Sequence, residues 1–171
     1  MSSLKSKYPL IVWATQPTLR TMCSEITNIT PNIRKLAKAM QDLVHEYDGV
    51  WLAAPQLGET IRLIATTQWK IKNGEYKLKS TTMMINPIIT SHSEIKVWDE
   101  EWCLSLPWTF GQVERYKQIT VTYTTLGNKS ASLQLSWLDA VVIQHEIDHL
   151  DGILFIDKAV DIRHEDKNLA M

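Results

Sequence analysis

The chain has 171 residues, 44% of them apolar and 22% charged, with a formal net charge of −1. That balance excludes a disordered chain, an acidic tail and a surface built for polyanions, so nucleic acid is not expected as a direct partner. The length suits a single domain, taken as residues 1–171, and two cysteines, Cys23 and Cys103, are too few for a disulfide framework.

No apolar stretch reaches membrane-spanning length, and the N-terminus lacks the long apolar segment of a secretory signal. A cytoplasmic location without membrane contact is therefore expected. After an extended start, "TPNIRKLAKAMQDLVHEYDG" reads as a helix, because Ile33, Leu36, Ala37, Met40, Leu43, Val44 and Tyr47 recur at helical spacing. Thr30 is placed to cap it, Pro31 suits its first turn and Gly49 its stop. The period then changes. "IRLIATT", "TTMMINPII", "SEIKVW" and "KQITVTYTT" read as strands, and "LGN" turns into a further strand, "KSASLQLSW". A second helix follows, with Ser136 as its expected cap, Asp139 completing a capping box, and Leu138, Val141, Val142, His145 and His149 along one side. The polar end, from about residue 159, reads as a short helix or a frayed tail. This order points to an α+β fold with β-sheets packed around the second helix.

Within that helix, "HEIDH" places His145 and His149 four residues apart, one turn apart on a single face, where both rings can reach one metal ion. Glu146 lies beside them, placed to reach a water on that ion rather than to bind it. Two satisfied histidines and a surface glutamate would give the same letters. A catalytic site also needs a third protein ligand and an open position. Cys103 is a candidate, whereas His45, His92 and His164 stand in segments without motif character.

"GVWLAAPQ" (49–56), "EWCLS" (101–105) and "QHEIDH" (144–149) resemble, in order and separation, the three signature motifs of the peptide deformylases. The likeness extends more weakly from "PTLR" (17–20) to "GILFIDK" (152–158). It implies a peptide-deformylase-like metallohydrolase that removes the formyl group from the N-terminal formylmethionine of new polypeptides, with contact at the ribosome exit region left open. It also implies Cys103, His145 and His149 as metal ligands, with Fe(II) as the native ion and Zn(II) or Ni(II) as substitutes. Glu146 becomes the general acid and base, and the Gln56 side chain and Leu104 amide become donors to the oxyanion. Glu101 would be held by Arg115, and Val50, Leu138, Val141 and Val142 would line a pocket for methionine.

Positions 51 and 102 depart from the family pattern, which has glycine where Trp51 and Trp102 would crowd this substrate pocket. Trp98, Trp108 and Trp137 also fall where relatives often have glycine. The whole chain holds six glycines against seven tryptophans, and glycine averages roughly 7% of residues in globular proteins. Two readings follow. Either the gene uses UGA for glycine and these five tryptophans are glycines written with another code, or the chain is a divergent or inactive homologue with real tryptophans. UGG codons at 51 and 102 would rule out the first. Asp99 and Phe110 are milder departures, at a pocket position and at a frequent arginine. Two rival functions remain: an HExxH peptidase with His164 or Glu165 as third ligand, and a closed structural site with Cys23 as fourth.

Overall fold

The computed structural model describes residues 7–47, 51–72 and 75–165, with side chains over those ranges except at 68–79. Its strands form two antiparallel sheets. Strands β1 (Leu52–Ala53), β2 (Leu63–Lys72), β3 (Glu75–His92), β6 (Gln118–Thr124) and β7 (Ser130–Ser136) lie in the order β1-β2-β3-β6-β7. Strands β4 (Lys96–Cys103), β5 (Leu106–Tyr116) and β8 (Val160–His164) lie in the order β4-β5-β8.

Side chains alternate across a strand, and this alternation sorts the core. Leu63, Ala65, Met83 and Ile85 meet Leu36, Met40, Leu43 and Val44 of helix α1 (Pro31–Glu46). Their neighbours Ile64 and Met84 point the other way, toward Ala140, Ile143, Ile147 and Leu150 of helix α2 (Leu138–Leu150). The larger sheet thus separates the two helices. Helix α1 begins as expected, with Thr30 Oγ1 accepting from Ile33 N at 3.3 Å and Pro31 in the first turn. Gly49, its expected stop, and the pocket candidate Val50 lie outside the described residues.

Two expectations are corrected. Ser136 does not cap α2: it remains in β7, paired with Gln118, and the chain reverses one residue later at Trp137, which is the N-cap and has no side-chain capping bond. No Ser136–Asp139 capping box forms. The segment from 160 to 164 is neither helix nor tail but β8, paired with β5 through Thr109↔His164, Phe110↔Arg163 and Gln112↔Val160. That edge depends on a missing side chain, since a Cβ on Gly111 would stand 2.8 Å from the Ala159 Cβ.

At the far end of α2, Gly152 has φ +72, and a Cβ there would meet the Arg20 carbonyl oxygen at 2.7 Å. Glycine lets the N-terminal segment close over the helix end, where Cys23 N donates to Leu150 O at 2.8 Å. Arg20 then pairs with Asp157 across the two ends of the chain.

Candidate metal centre

Residues 140–150 of α2 are all buried, yet five of them, Gln144, His145, Glu146, Asp148 and His149, are polar. Buried polar groups must find partners, so the surroundings of this helix are selected group by group. Gln144 accepts from Tyr116 N at 3.0 Å and donates to Tyr116 O at 2.9 Å, fastening the helix to the end of β5. Asp148 accepts from Arg115 at 2.5 Å and from Lys158 at 2.7 Å.

Arg115 turns its other donors to Glu101, at 2.6 and 3.0 Å, and Glu101 in turn sits 2.7 Å from His145 Nδ1. A continuous chain therefore runs Lys158, Asp148, Arg115, Glu101, His145. Both side chains of the central pair are almost fully buried, 3% and 4% exposed, so this is not the exposed ion pair of little value that sequence alone allows. Burial pushes the Glu101 carboxyl up, but hydrogen bonds from His145 and Arg115 outweigh it and hold it at about 2. An ionised Glu101 fixes the His145 ring with Nδ1 engaged and Nε2 directed away.

Cys103 comes from another element. It ends β4, pairs with Leu106, and the two-residue turn at Leu104 and Ser105 brings its thiol over α2. Its Sγ lies 3.2 Å from His149 Nε2. One donor atom each from Cys103, His145 and His149 lie within 4.8 Å of one another. Among the described residues no other group of His, Cys, Asp and Glu gathers its donors this way. Cys23 instead sits in the core beneath α2, its thiol pushed up to about 11 by burial, and His164 is exposed, with Nδ1 3.1 Å from Thr109 Oγ1. Neither joins the cluster, which removes the observation the two rival functions need.

The electrostatics favour a cation. Burial pushes the His145 ring down, but contacts with Cys103 and Glu101 and the nearby Glu146 push it well up. His149 is pushed well down by burial and by the charges of His145, Arg115 and Arg20. A cysteine sulfur with two imidazoles is a donor set that divalent transition metals accept. The residues fit such an ion.

Glu146 is 4% exposed, and its Oε2 is buried without a hydrogen-bond partner. Burial raises its carboxyl to about 7, against the lowering influence of His145. Gln56, on a single 3-10 turn after β1, accepts from Ala53 N at 2.8 Å through Oε1. Its Nε2 lies 3.2 Å from Ser105 Oγ and 3.5 Å from Cys103 Sγ. An open cleft leads to these groups. Leu138, Val141 and Val142 form its apolar side, Leu104 lies on its wall, and Asp99, Trp51 and Trp102 line it as well.

Three contributors were not legible beforehand. Ser105, fully buried, orients Gln56, and Asp148 and Lys158 complete the chain behind Glu101. Asp148 and Ser105 lie inside the quoted motifs, and that is their only sequence signal. Lys158 closes the weaker stretch "GILFIDK", which gave no hint of its partner, because that pairing depends on folding.

Residues 9–165 match the model of the polypeptide deformylase family. A peptide deformylase from Desulforudis audaxviator (strain MP104C) is 40% identical over 152 residues, covering 89% of this chain and 94% of that protein. The crystal structure of a probable peptide deformylase from Synechococcus phage S-SSM7 is 36% identical with a TM-score of 0.79, covering 88% of this chain and 99% of the other. A class I type b peptide deformylase from Acinetobacter baumannii, in its Met-Ala-Ser-bound crystal structure, is 30% identical with a TM-score of 0.78, covering 88% and 96%.

Proposed function

Because this chain belongs to the polypeptide deformylase family and hydrolyses the N-formyl group of nascent polypeptides, we propose that Glu146 is its acid–base residue and Cys103, His145 and His149 hold its metal. One observation supports this above the others. A turn at residue 103 and a helix beginning 35 residues later converge their donor atoms within 4.8 Å, beside a buried carboxyl oxygen with no partner.

A divalent ion held by Cys103, His145 and His149 would supply Lewis acidity, making a bound water easier to deprotonate. The chain does the rest. Glu146, with a carboxyl near 7, removes a proton from the attacking water at Oε2 and later delivers it to the departing amine nitrogen. Gln56 Nε2 and the Leu104 amide donate to the formyl oxygen as it gains charge. The anchoring of Gln56 at Ala53 and Ser105 sets that donor before substrate arrives. Glu101 keeps the His145 tautomer that offers Nε2, and Arg115 keeps Glu101 ionised. Leu138, Val141 and Val142 receive the methionine side chain, in keeping with the Met-Ala-Ser carried by the Acinetobacter relative. The resident ion in this reading is Fe(II). Zn(II) outcompetes iron on affinity and Ni(II) can also replace it, so cellular supply sets occupancy.

The test is Glu146→Gln, assayed on formyl-Met-Ala-Ser with metal content measured in parallel. The expected result is a kcat lower by roughly 10²–10⁴ at unchanged metal content. Undiminished turnover would remove Glu146 from the mechanism.

A further inference from the structure

Six described residues other than glycine have positive φ, and they divide into two kinds. Asn86, Asn128 and Asp161 belong to the types whose short polar side chains tolerate this region. The other three are Trp13 at φ 81, Trp108 at φ 62 and Trp137 at φ 55. A bulky aromatic there is a genuine outlier, and three of the seven tryptophans occupy such places.

These are not frayed ends. Trp13 N donates to Ser105 O at 2.8 Å and its carbonyl accepts from Gln16 N at 3.1 Å. Trp108 O accepts from Glu165 N at 2.8 Å. Trp137 N donates to Lys117 O at 2.9 Å, and its carbonyl receives the first bond of α2 from Val141 N at 3.0 Å. With ψ −133, Trp137 has the dihedrals of the first central residue of a type II′ turn, a position that selects glycine. Backbone hydrogen bonds on one or both sides therefore hold all three residues in a conformation that a Cβ opposes.

Side-chain placement agrees. Trp is among the most buried residues on average, yet none of the six tryptophans whose side chains are described is in the core. Trp13, Trp98, Trp102, Trp108 and Trp137 are between 37% and 61% exposed, and Trp51 is half-buried at the cleft. Lys117 Nζ stands 3.9 Å from the Trp137 ring, the one cation contact any of the six makes among the described residues.

We propose that residues 13, 51, 98, 102, 108 and 137 are glycines in the protein as its own cells make it, each encoded by a UGA codon that the source reads as glycine. A single cause then accounts for strained backbone, exposed indoles and scarce glycine, because a change in reading one codon exchanges just these two residue types. It adds Trp13, which composition and motif did not mark. At 51 and 102 the exchange removes two indoles from the lining of the cleft. The assignment stands apart from the deformylase reading, since neither backbone conformation nor exposure depends on the reaction.

Tandem mass spectrometry of peptides from the protein purified from its source cells tests it directly. Glycine at the six positions is expected, and tryptophan there overturns the proposal. As a physical check, the recombinant chain carrying Trp13→Gly, Trp108→Gly and Trp137→Gly should melt several degrees above the chain as written. An equal or lower melting temperature would overturn the backbone argument.

Discussion

The ion network that backs one cleft, its wall, and the exposed tryptophans near that cleft, its rim, obey different rules. At the wall, from Lys158 through Asp148, Arg115 and Glu101 to His145, every buried charge faces an opposite partner within 3.0 Å. At the rim, Trp102 lies half in solvent beside the cleft, and Trp137, where the chain enters α2, is a large apolar side chain on a backbone suited to none. The contrast separates groups whose partners are costly to lose, because an unpaired buried charge is expensive, from side chains that solvent tolerates.

Removing a wall charge should do the most damage. Arg115→Ala leaves Glu101 and Asp148 buried without their shared partner, and we expect a loss of about 3–5 kcal/mol in urea denaturation. A loss below ~1 kcal/mol would mean that water reaches the network and that wall and rim differ less than the burial suggests.

Acid probes the same network with no substitution. Glu101 has a folded-state carboxyl at about 2, below its unfolded value near 4.5. Its contribution is therefore present above about pH 4.5 and is lost as the pH falls through the folded value. The difference corresponds to on the order of 3 kcal/mol. Stability curves from pH 6 to pH 2 should show that decline in the parent and a shallower one in Glu101→Gln. Parallel curves would place the acid sensitivity elsewhere.

Rim substitutions should act in the opposite direction. Trp137→Gly should stabilise by about 1–2 kcal/mol from relieved backbone strain, less the cation–π contact with Lys117, worth about 0.5–1 kcal/mol at an exposed site. A net loss would show that the indole earns its place. Smallest of all is Glu100→Gln, which removes the exposed pairing with Arg163. Its effect should fall within the error of a denaturation curve, and a clear loss would extend the wall's behaviour to the surface.

Legibility in the sequence followed locality. The start and buried face of helix α1 were readable because its cap, proline and apolar stripe lie within one short segment, and Thr30 caps it as expected. The start of α2 was not, because Ser136 is claimed by its strand partner Gln118 and cannot turn back to cap. Strand β8 was hidden because all five of its residues are exposed, which leaves no alternation to read, and its partner lies some fifty residues upstream. For the site, the motifs supplied Cys103, His145, Glu146, His149 and Gln56 as candidates. The resemblance also supplied the Glu101–Arg115 pair, but not Asp148 and Lys158 behind it, since Arg115 meets Asp148 across 33 residues and Lys158 meets it across ten. Nor could composition tell which tryptophans sit on left-handed backbone. That is a property of φ, and it appears only when strands and turns are assembled.

The central claim is that one thiolate and two imidazoles hold a single cation. X-ray absorption on the iron-loaded protein measures this most directly. One sulfur at about 2.3 Å and two imidazole nitrogens near 2.0–2.1 Å are expected, taking zinc–ligand distances as the guide. A first shell of nitrogen and oxygen alone, in folded and fully loaded protein, would contradict the account.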